Sequence, residues 1–403
     1  MARYERRLLL TAVALGIAAR AQAQEIRVGE PLPRWSAGML DIHQISTGRG
    51  NSALVVMPDG TTLLVDAGGV GDGLPQTDPH PDASRRPGEW IARYVKRHAP
   101  DSTVPLDYIM ITHFHGDHML GLTDVLDGVG ARTLVDRAWP TYDYPIAAPP
   151  SDTAFATYHR LVEDRHGRGM NVERFRVGAT NQLVMRHAGA AARWPGFEVR
   201  NIIGNGDVWT GRGDSAAPSF PPVTGLDRAD LPNENMCSLG IRIRYGAFSW
   251  FTGGDLPGTP DPGFPAWHGV EAAAAAAIGP VEAHVVTMHG SIGQESEVFL
   301  RTLASHVLIV PAWSATHPAP DVMKRIVNSR YPPAERLVFT TDLREATRIV
   351  LAQRATSFAA PPGHVVLRVE PGGSRYWVIV LSSAGEGDEV VAVKGPLTIL
   401  PRS

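Results

Sequence analysis

A strand-like run, Leu106-Asp107-Tyr108-Ile109-Met110-Ile111-Thr112, passes without a spacer into His113-Phe114-His115-Gly116-Asp117-His118. The run is apolar at nearly every position. A strand with no polar face must be covered on both sides, as strands are inside a layered α/β protein. Two histidines one residue apart at the end of such a strand project to one side of the backbone, so His113 and His115 can grip a single ion. Asp117 and His118 lie just beyond, and Gly116 permits a sharp turn that would carry them toward a second ion. A surface loop that merely happens to be rich in histidine would not be tied so closely to a buried strand. Imidazole and carboxylate donors together suit a borderline divalent metal: zinc, with manganese or iron as alternatives.

Distant residues can complete such a centre. Asp255 ends the strand-like Phe248-Ser249-Trp250-Phe251-Thr252-Gly253-Gly254-Asp255, where its carboxylate can bridge two ions, and His289 ends the run from His284 to Met288. Taken alone, each reads more simply as a turn residue. Beside the first motif they become ligand candidates. His43 and His284 are expected as ordinary packed side chains, because a lone histidine carries little information.

Elsewhere, Met39 to Pro58 and Thr61 to Gly69 read as two strands of a hairpin turning at Pro58-Asp59-Gly60. A helix is expected from Glu89 to His98. The stretch from Asp136 to Glu234 is irregular, with a helix-like segment from Thr153 to Arg168 and strands near Phe197 to Ile203, and reads as an insertion over one face. Strands and helices then alternate, and the tail from Gly363 reads as a small β appendage. The expectation is an α/β protein of sheets with helices outside. Its divisions are a leader at 1–23, a main domain at 24–355 with the insertion at about 136–234, and a β extension at 356–403.

The first residues have the pattern of a secretory signal: Arg3, Arg6 and Arg7, an apolar run from Leu8 to Ala19, then Ala21 and Ala23. The run is shorter than the roughly 20 apolar residues of a spanning helix. The expected destination is therefore exported, periplasmic or secreted, with no membrane attachment after cleavage. Cys237 is the only cysteine, so no internal disulfide can form. The chain has 38 Lys and Arg against 41 Asp and Glu; without residues 1–23, which hold four Arg and one Glu, the balance is 34 against 40, a net charge of −6. That balance, without basic runs, carries no strong signature of nucleic-acid binding and points to a small-molecule or short substrate.

Thr112 to His118 followed by Leu120-Gly121-Leu122 resembles the signature of the metallo-β-lactamase superfamily. More narrowly, the chain resembles the hydrolase domain of ComEC-type DNA-uptake proteins and their free-standing relatives. Leu40 to Gly69, the metal motif, Asn233 to Asp255, Met288 to Ser296, Ala315 to Ile326 and Phe339 to Asp342 carry the likeness in order. It spans Met39 to Asp342 apart from the insertion. The resemblance implies an αββα sandwich with a site at one edge between the sheets. It implies two divalent ions, one on His113 and His115 and the other on Asp117, His118 and His289, with Asp255 as bridge. Asp66 would orient ligands from beneath, and His317 would contact substrate or donate a proton.

Two departures accompany the likeness. Where lactamases of the superfamily place a third histidine for the first ion, this chain has Pro232-Asn233-Glu234-Asn235, leaving Asn235 or Glu234 as weaker substitutes. Met288 stands where relatives often carry a second histidine. The first ion should therefore be the less tightly held. The resemblance implies hydrolysis of phosphodiester or related phosphoester bonds by a metal-bound hydroxide, with Asp117 orienting it. The rival readings are a lactonase or β-lactamase-type hydrolase and an exported metal-binding protein without catalysis.

Overall fold

Side-chain alternation along the first strands decides the architecture. In the computed structural model, which describes residues 25–71, 76–147 and 152–399, the leader-like segment 1–23 lies outside the described residues. The early strands are β1 (Leu40–Gln44), β2 (Ala53–Val56), β3 (Thr62–Val65), β4 (Leu106–Met110), β5 (Ala131–Asp136) and β6 (Asn171–Arg174). Leu40, Ile42, Val55, Leu63, Val65, Tyr108 and Met110 face one core, whereas Leu54, Val56, Leu64, Ile109 and Ile111 face another. Both faces are apolar because both are covered, which explains the unbroken hydrophobic run before His113. Each such Leu, Ile or Val contributes about 1.5–3 kcal/mol by leaving water.

The second sheet holds β7 (Phe197–Gly204), β8 (Asp207–Trp209), β9 (Ala216–Pro218), β10 (Gly240–Tyr245), β11 (Phe248–Thr252), β12 (Ala283–Val285), β13 (Val307–Val310) and β14 (Leu337–Thr340), followed in sequence by β15 (His364–Val369), β16 (Arg375–Leu381) and β17 (Val390–Thr398). Among the described residues the strand orders are β17-β16-β15-β1-β2-β3-β4-β5-β6 and β14-β13-β12-β11-β10-β7-β8-β9. Ile241, Ile243, Trp250, Val307, Ile309 and Phe339 of the second sheet join the first sheet's inner residues in one core. Helices Pro87–His98, Leu122–Gly128 and Thr153–Gly167 pack on the outer face of the first sheet. Helices Val270–Ile278, Glu297–Leu303 and Pro320–Val327 cover the second. This is the expected αββα sandwich.

Three sequence expectations are refined. Met39 to Pro58 is two antiparallel strands, with Asp41 opposite Val56 and Gln44 opposite Ala53, because the chain doubles back through the loop between them. The helix expected from Glu89 begins at Pro87, a residue suited to the first helical turn, where its missing N–H costs nothing. The stretch read as an insertion supplies sheet strands: β6 pairs with β5, and β7 pairs with β10 along Phe197 to Ile203. The strand expected near Phe197 to Ile203 is present, and its pairing with β10 makes it part of the second sheet instead of an insertion.

The C-terminal strands extend the first sheet, with Leu40 opposite Val369 and Gln44 opposite Val365. A buried Arg368–Asp41 ion pair at 2.6 Å fastens that seam, and Tyr376 Oη donates to Glu282 Oε1 at 2.8 Å across the sandwich. Among the described residues no helix is long and apolar enough to cross a membrane.

Candidate metal centre

Strand direction places the site. β3 and β4 run parallel in one sheet, and β11, β12 and β13 run parallel in the other. Asp66 follows β3, His113 follows β4, Asp255 follows β11, His289 follows β12 and His317 follows β13. The candidate residues thus gather beyond the carboxyl ends of parallel strands, where α/β sheets open a crevice.

Locally, Gly116 opens a helical turn, Gly116–Met119, with ordinary helical backbone. The sharp glycine turn expected there is absent, because one helical turn suffices to bring Asp117 and His118 round. The glycine that the geometry requires is Gly68: a Cβ there would lie 1.9 Å from the Asp117 carbonyl oxygen. This close approach lets the Asn51 amide donate to Asp117 O and the Ala67 amide to His118 O, each at 2.8 Å. The Gly48 to Asn51 loop is thus a plain structural turn, with its Asn51 amide committed to protein.

Gly254, at φ 55°, lies against Thr112 and delivers Asp255 beside His113. Met288 and His289 adopt φ 45° and 55°, costing on the order of 1–3 kcal/mol each. The surroundings hold that turn: the Met288 amide donates to Gly254 O at 3.2 Å, and His289 Nδ1 lies 3.0 Å from Pro311 O.

The ligand atoms of Asp117, His118, Asp255 and His289 lie within 4.8 Å of one another, and so do those of His113, His115 and Asp255. Asp255 belongs to both sets. Its Oδ1 is 3.1 Å from His118 Nε2 and 3.5 Å from His289 Nε2, while its Oδ2 is 3.9 Å from His113 Nε2. Asp117 Oδ2 is 3.0 Å from His289 Nε2 and 3.6 Å from His118 Nε2.

Each buried imidazole is oriented from behind: His118 Nδ1 meets Asp66 Oδ2 at 2.7 Å, His113 Nδ1 meets Thr112 Oγ1 at 3.1 Å, and Pro311 O serves His289. Their Nε2 atoms are left to converge. His118 and His289 Nε2 approach to 3.2 Å, and His113 Nε2 and His115 Nδ1 to 3.1 Å. Lone pairs aimed at one another need a shared proton or a cation between them, so the donor set fits divalent metal.

Electrostatics agree. Burial alone would lower His118, but Asp255, Asp66 and Asp117 outweigh it and push it well above its ordinary value. Burial would raise the Asp255 and Asp117 carboxyls, yet His118 and His289 hold both below the carboxylate range. Without metal, a proton on imidazole supplies the positive charge that the carboxylates demand. His113, lowered by burial and by His118, stays neutral as a ligand must.

The structure does not bring every candidate into a ligand set. Glu234 belongs to neither ligand set: its carboxylate accepts from Arg137 at 2.6 and 2.7 Å and from the Phe114 amide at 2.9 Å, so it does not substitute for a third histidine. Asn235 Nδ2 points to Met288 Sδ at 3.9 Å, and its Oδ1 is buried without a protein partner. His317 stacks on His289 at a centroid separation of 4.9 Å, with Trp313 edge-on. Burial and then the nearby His289 push His317 down to about 3, so its ring is neutral at neutral pH. His43 and His284 are packed as expected, on Tyr94 and on Glu295 with Ser305.

Sequence reasoning missed the support beneath His289. Glu271 accepts from Thr287 Oγ1 at 2.5 Å and from the Glu295 and Ser296 amides at 2.9 and 2.8 Å. Burial and then Glu295 raise its carboxyl from 4.5 to about 7. The folded chain therefore holds a proton that the unfolded chain releases between these values. Stability falls as pH rises across that window and levels off above it. Between pH 5 and 8 the wild type should lose on the order of 3 kcal/mol more than Glu271→Gln in urea unfolding. Parallel pH profiles for the two proteins would contradict the raised carboxyl.

Residues 45–147 match the sequence model described as the metallo-beta-lactamase superfamily. No curated protein sequence matches the chain. Similar solved structures include Igni18, a metallo hydrolase from the archaeon Ignicoccus hospitalis, at 12% identity and TM-score 0.38, covering 81% of this chain and 98% of that one. CmlA, a diiron beta-hydroxylase from Streptomyces venezuelae, is similar at 16% identity and TM-score 0.37, with 77% of this chain covering 54% of that one, so the present chain spans about half of CmlA. Unliganded yeast PDE1 is similar at 10% identity and TM-score 0.37, over 80% and 93% of the two chains. The matched stretch, residues 45–147, holds the His113 to His118 motif, and the αββα layers agree with a metallo-beta-lactamase superfamily domain there.

Proposed function

We propose that this protein is an exported, two-metal hydrolase of small or short phosphodiesters or related phosphoesters, akin in activity to the ComEC-type hydrolase domains. The observation that carries the reading is Asp255, one carboxylate shared by two converging ligand sets. Bound divalent ions at such a centre lower the pKa of water and polarise the bond under attack. His113, His115 and Asp255 would hold one ion, and Asp117, His118, His289 and Asp255 the other. The first set offers three protein ligands, which leaves more room for substrate oxygens. That suits a phosphodiester, with its two non-bridging oxygens, better than a lactam with one carbonyl oxygen.

Asp117, only partly exposed and hydrogen-bonded to His289, would orient a water molecule for attack. His317 donates a hydrogen bond to substrate as a neutral ring.

The test is a panel of bis(p-nitrophenyl) phosphate, a lactone and a β-lactam, assayed with zinc and with manganese. Phosphodiester turnover is expected, and Asp117→Ala should reduce it by about 10²–10⁴-fold. Unchanged turnover in that variant would show that the site is wrong for the activity. Turnover of only the lactone or lactam would overturn the substrate class. A protein that binds no divalent metal and stays inactive with any added one would not be a hydrolase.

A further inference from the structure

We infer that Arg137 and Glu234 are a positioning pair that sets the three-ligand metal position by clamping Phe114, the residue between His113 and His115. The inference rests on the two-metal reading above. Glu234 lies 120 residues from Phe114 in sequence, yet its Oε1 accepts the Phe114 amide at 2.9 Å. Arg137 binds the same carboxylate through Nε at 2.7 Å and through a terminal nitrogen at 2.6 Å, and its guanidinium lies 4.6 Å from the Phe114 ring centroid. Phe114 is thus held by both backbone and ring. The ring also packs on Tyr142, Phe155 and Tyr158.

Arg137 is 0% exposed, and no step of the proposed chemistry uses it. A buried guanidinium is expensive unless its charge is paired and hydrogen-bonded. Here a terminal nitrogen that Glu234 does not bind reaches Tyr144 O at 3.1 Å and Asn205 Oδ1 at 3.3 Å, while Asn205 Nδ2 returns a bond to Arg137 O at 2.6 Å. This network meets the His113 to His115 segment at Phe114. A shift of that residue would change the 3.1 Å approach of His113 Nε2 to His115 Nδ1. The four-ligand set would keep its own supports, Asp66 and Pro311.

The experiment titrates cobalt(II) into the metal-free full-length protein and follows ligand-field absorption, with His115→Ala marking the signal of the three-ligand position. Arg137→Met should weaken that position by about 10–100-fold, leave the other within a few-fold, and speed hydrogen exchange at the Phe114 amide. A folded Arg137→Met protein with both affinities at wild-type values, or with both weakened alike, would overturn the inference. If that variant does not fold, Glu234→Gln decides in the same titration, because it keeps an acceptor for Phe114 but loses the charge that binds Arg137. Selective weakening of the three-ligand position supports the pair, and wild-type affinities overturn it. Wild-type protein that takes up no cobalt would instead refute the metal-centre reading, and the pair with it.

Discussion

Asp255→Ala is expected to empty both metal positions at once. The wild type should retain metal at the four-ligand position after dialysis, with a second, more exchangeable ion on His113, His115 and Asp255. Without the shared carboxylate, one set falls to Asp117, His118 and His289 and the other to two histidines. Metal analysis of the dialysed variant should find well under one equivalent. Hydrolysis should fall by at least about 10³-fold, on the order of 4 kcal/mol of barrier. The scaffold itself should survive, because the Asp255 amide is anchored on Ser238 Oγ at 3.2 Å and that contact does not involve the carboxylate. A variant that kept two tightly bound ions would show that Asp255 is not the bridge.

Asp66→Asn should produce the second-largest effect without removing any ligand. The Asp66 carboxylate is fully buried and accepts from the Thr112 amide at 2.7 Å, from Thr112 Oγ1 at 3.0 Å and from Asn51 Nδ2 at 2.9 Å, besides meeting His118 Nδ1 at 2.7 Å. Its own backbone sits at φ 62°, so the fold bears local strain to present it. An amide at this position must aim its NH₂ group at some of these donors, and His118 would lose the partner that fixes its ring. Metal affinity at the four-ligand position should drop by about 10–100-fold in competition with a chelator. The rise in melting temperature on adding metal should shrink correspondingly. Unchanged affinity in Asp66→Asn would mean that packing alone orients His118. The contrast between variants matters: Asp66→Asn should act mainly on one position, Arg137→Met mainly on the other, and Asp255→Ala on both.

The legible parts of the fold were those with a strong local pattern. β4 was recognisable because both of its faces are buried, and the hairpin of β2 and β3 because Pro58-Asp59-Gly60 marks its turn. β7 was only partly legible and its place in the second sheet was not, because the polar Arg200 and Asn201 serve partners outside the strand: Gly178 O, Arg176 O and Gln182. The C-terminal strands were identifiable as strands, but their attachment to β1 depends on a pairing more than 300 residues distant in sequence.

The same division applies to the His113 to His118 cluster. The sequence by itself determined that four potential ligands stand at the end of a buried strand, since strand alternation and one helical turn are local geometry. Only the tertiary structure decided how they are shared. It carried Asp255 and the strained His289 turn in from the other sheet, set Asp66 behind His118, and committed Glu234 to Arg137 and Phe114 instead of to metal. Those outcomes depend on burial and on hydrogen-bond competition between segments 50 to more than 170 residues apart. A buried charge takes whichever partner the packing leaves within reach, and no pattern in the neighbouring sequence encodes that choice.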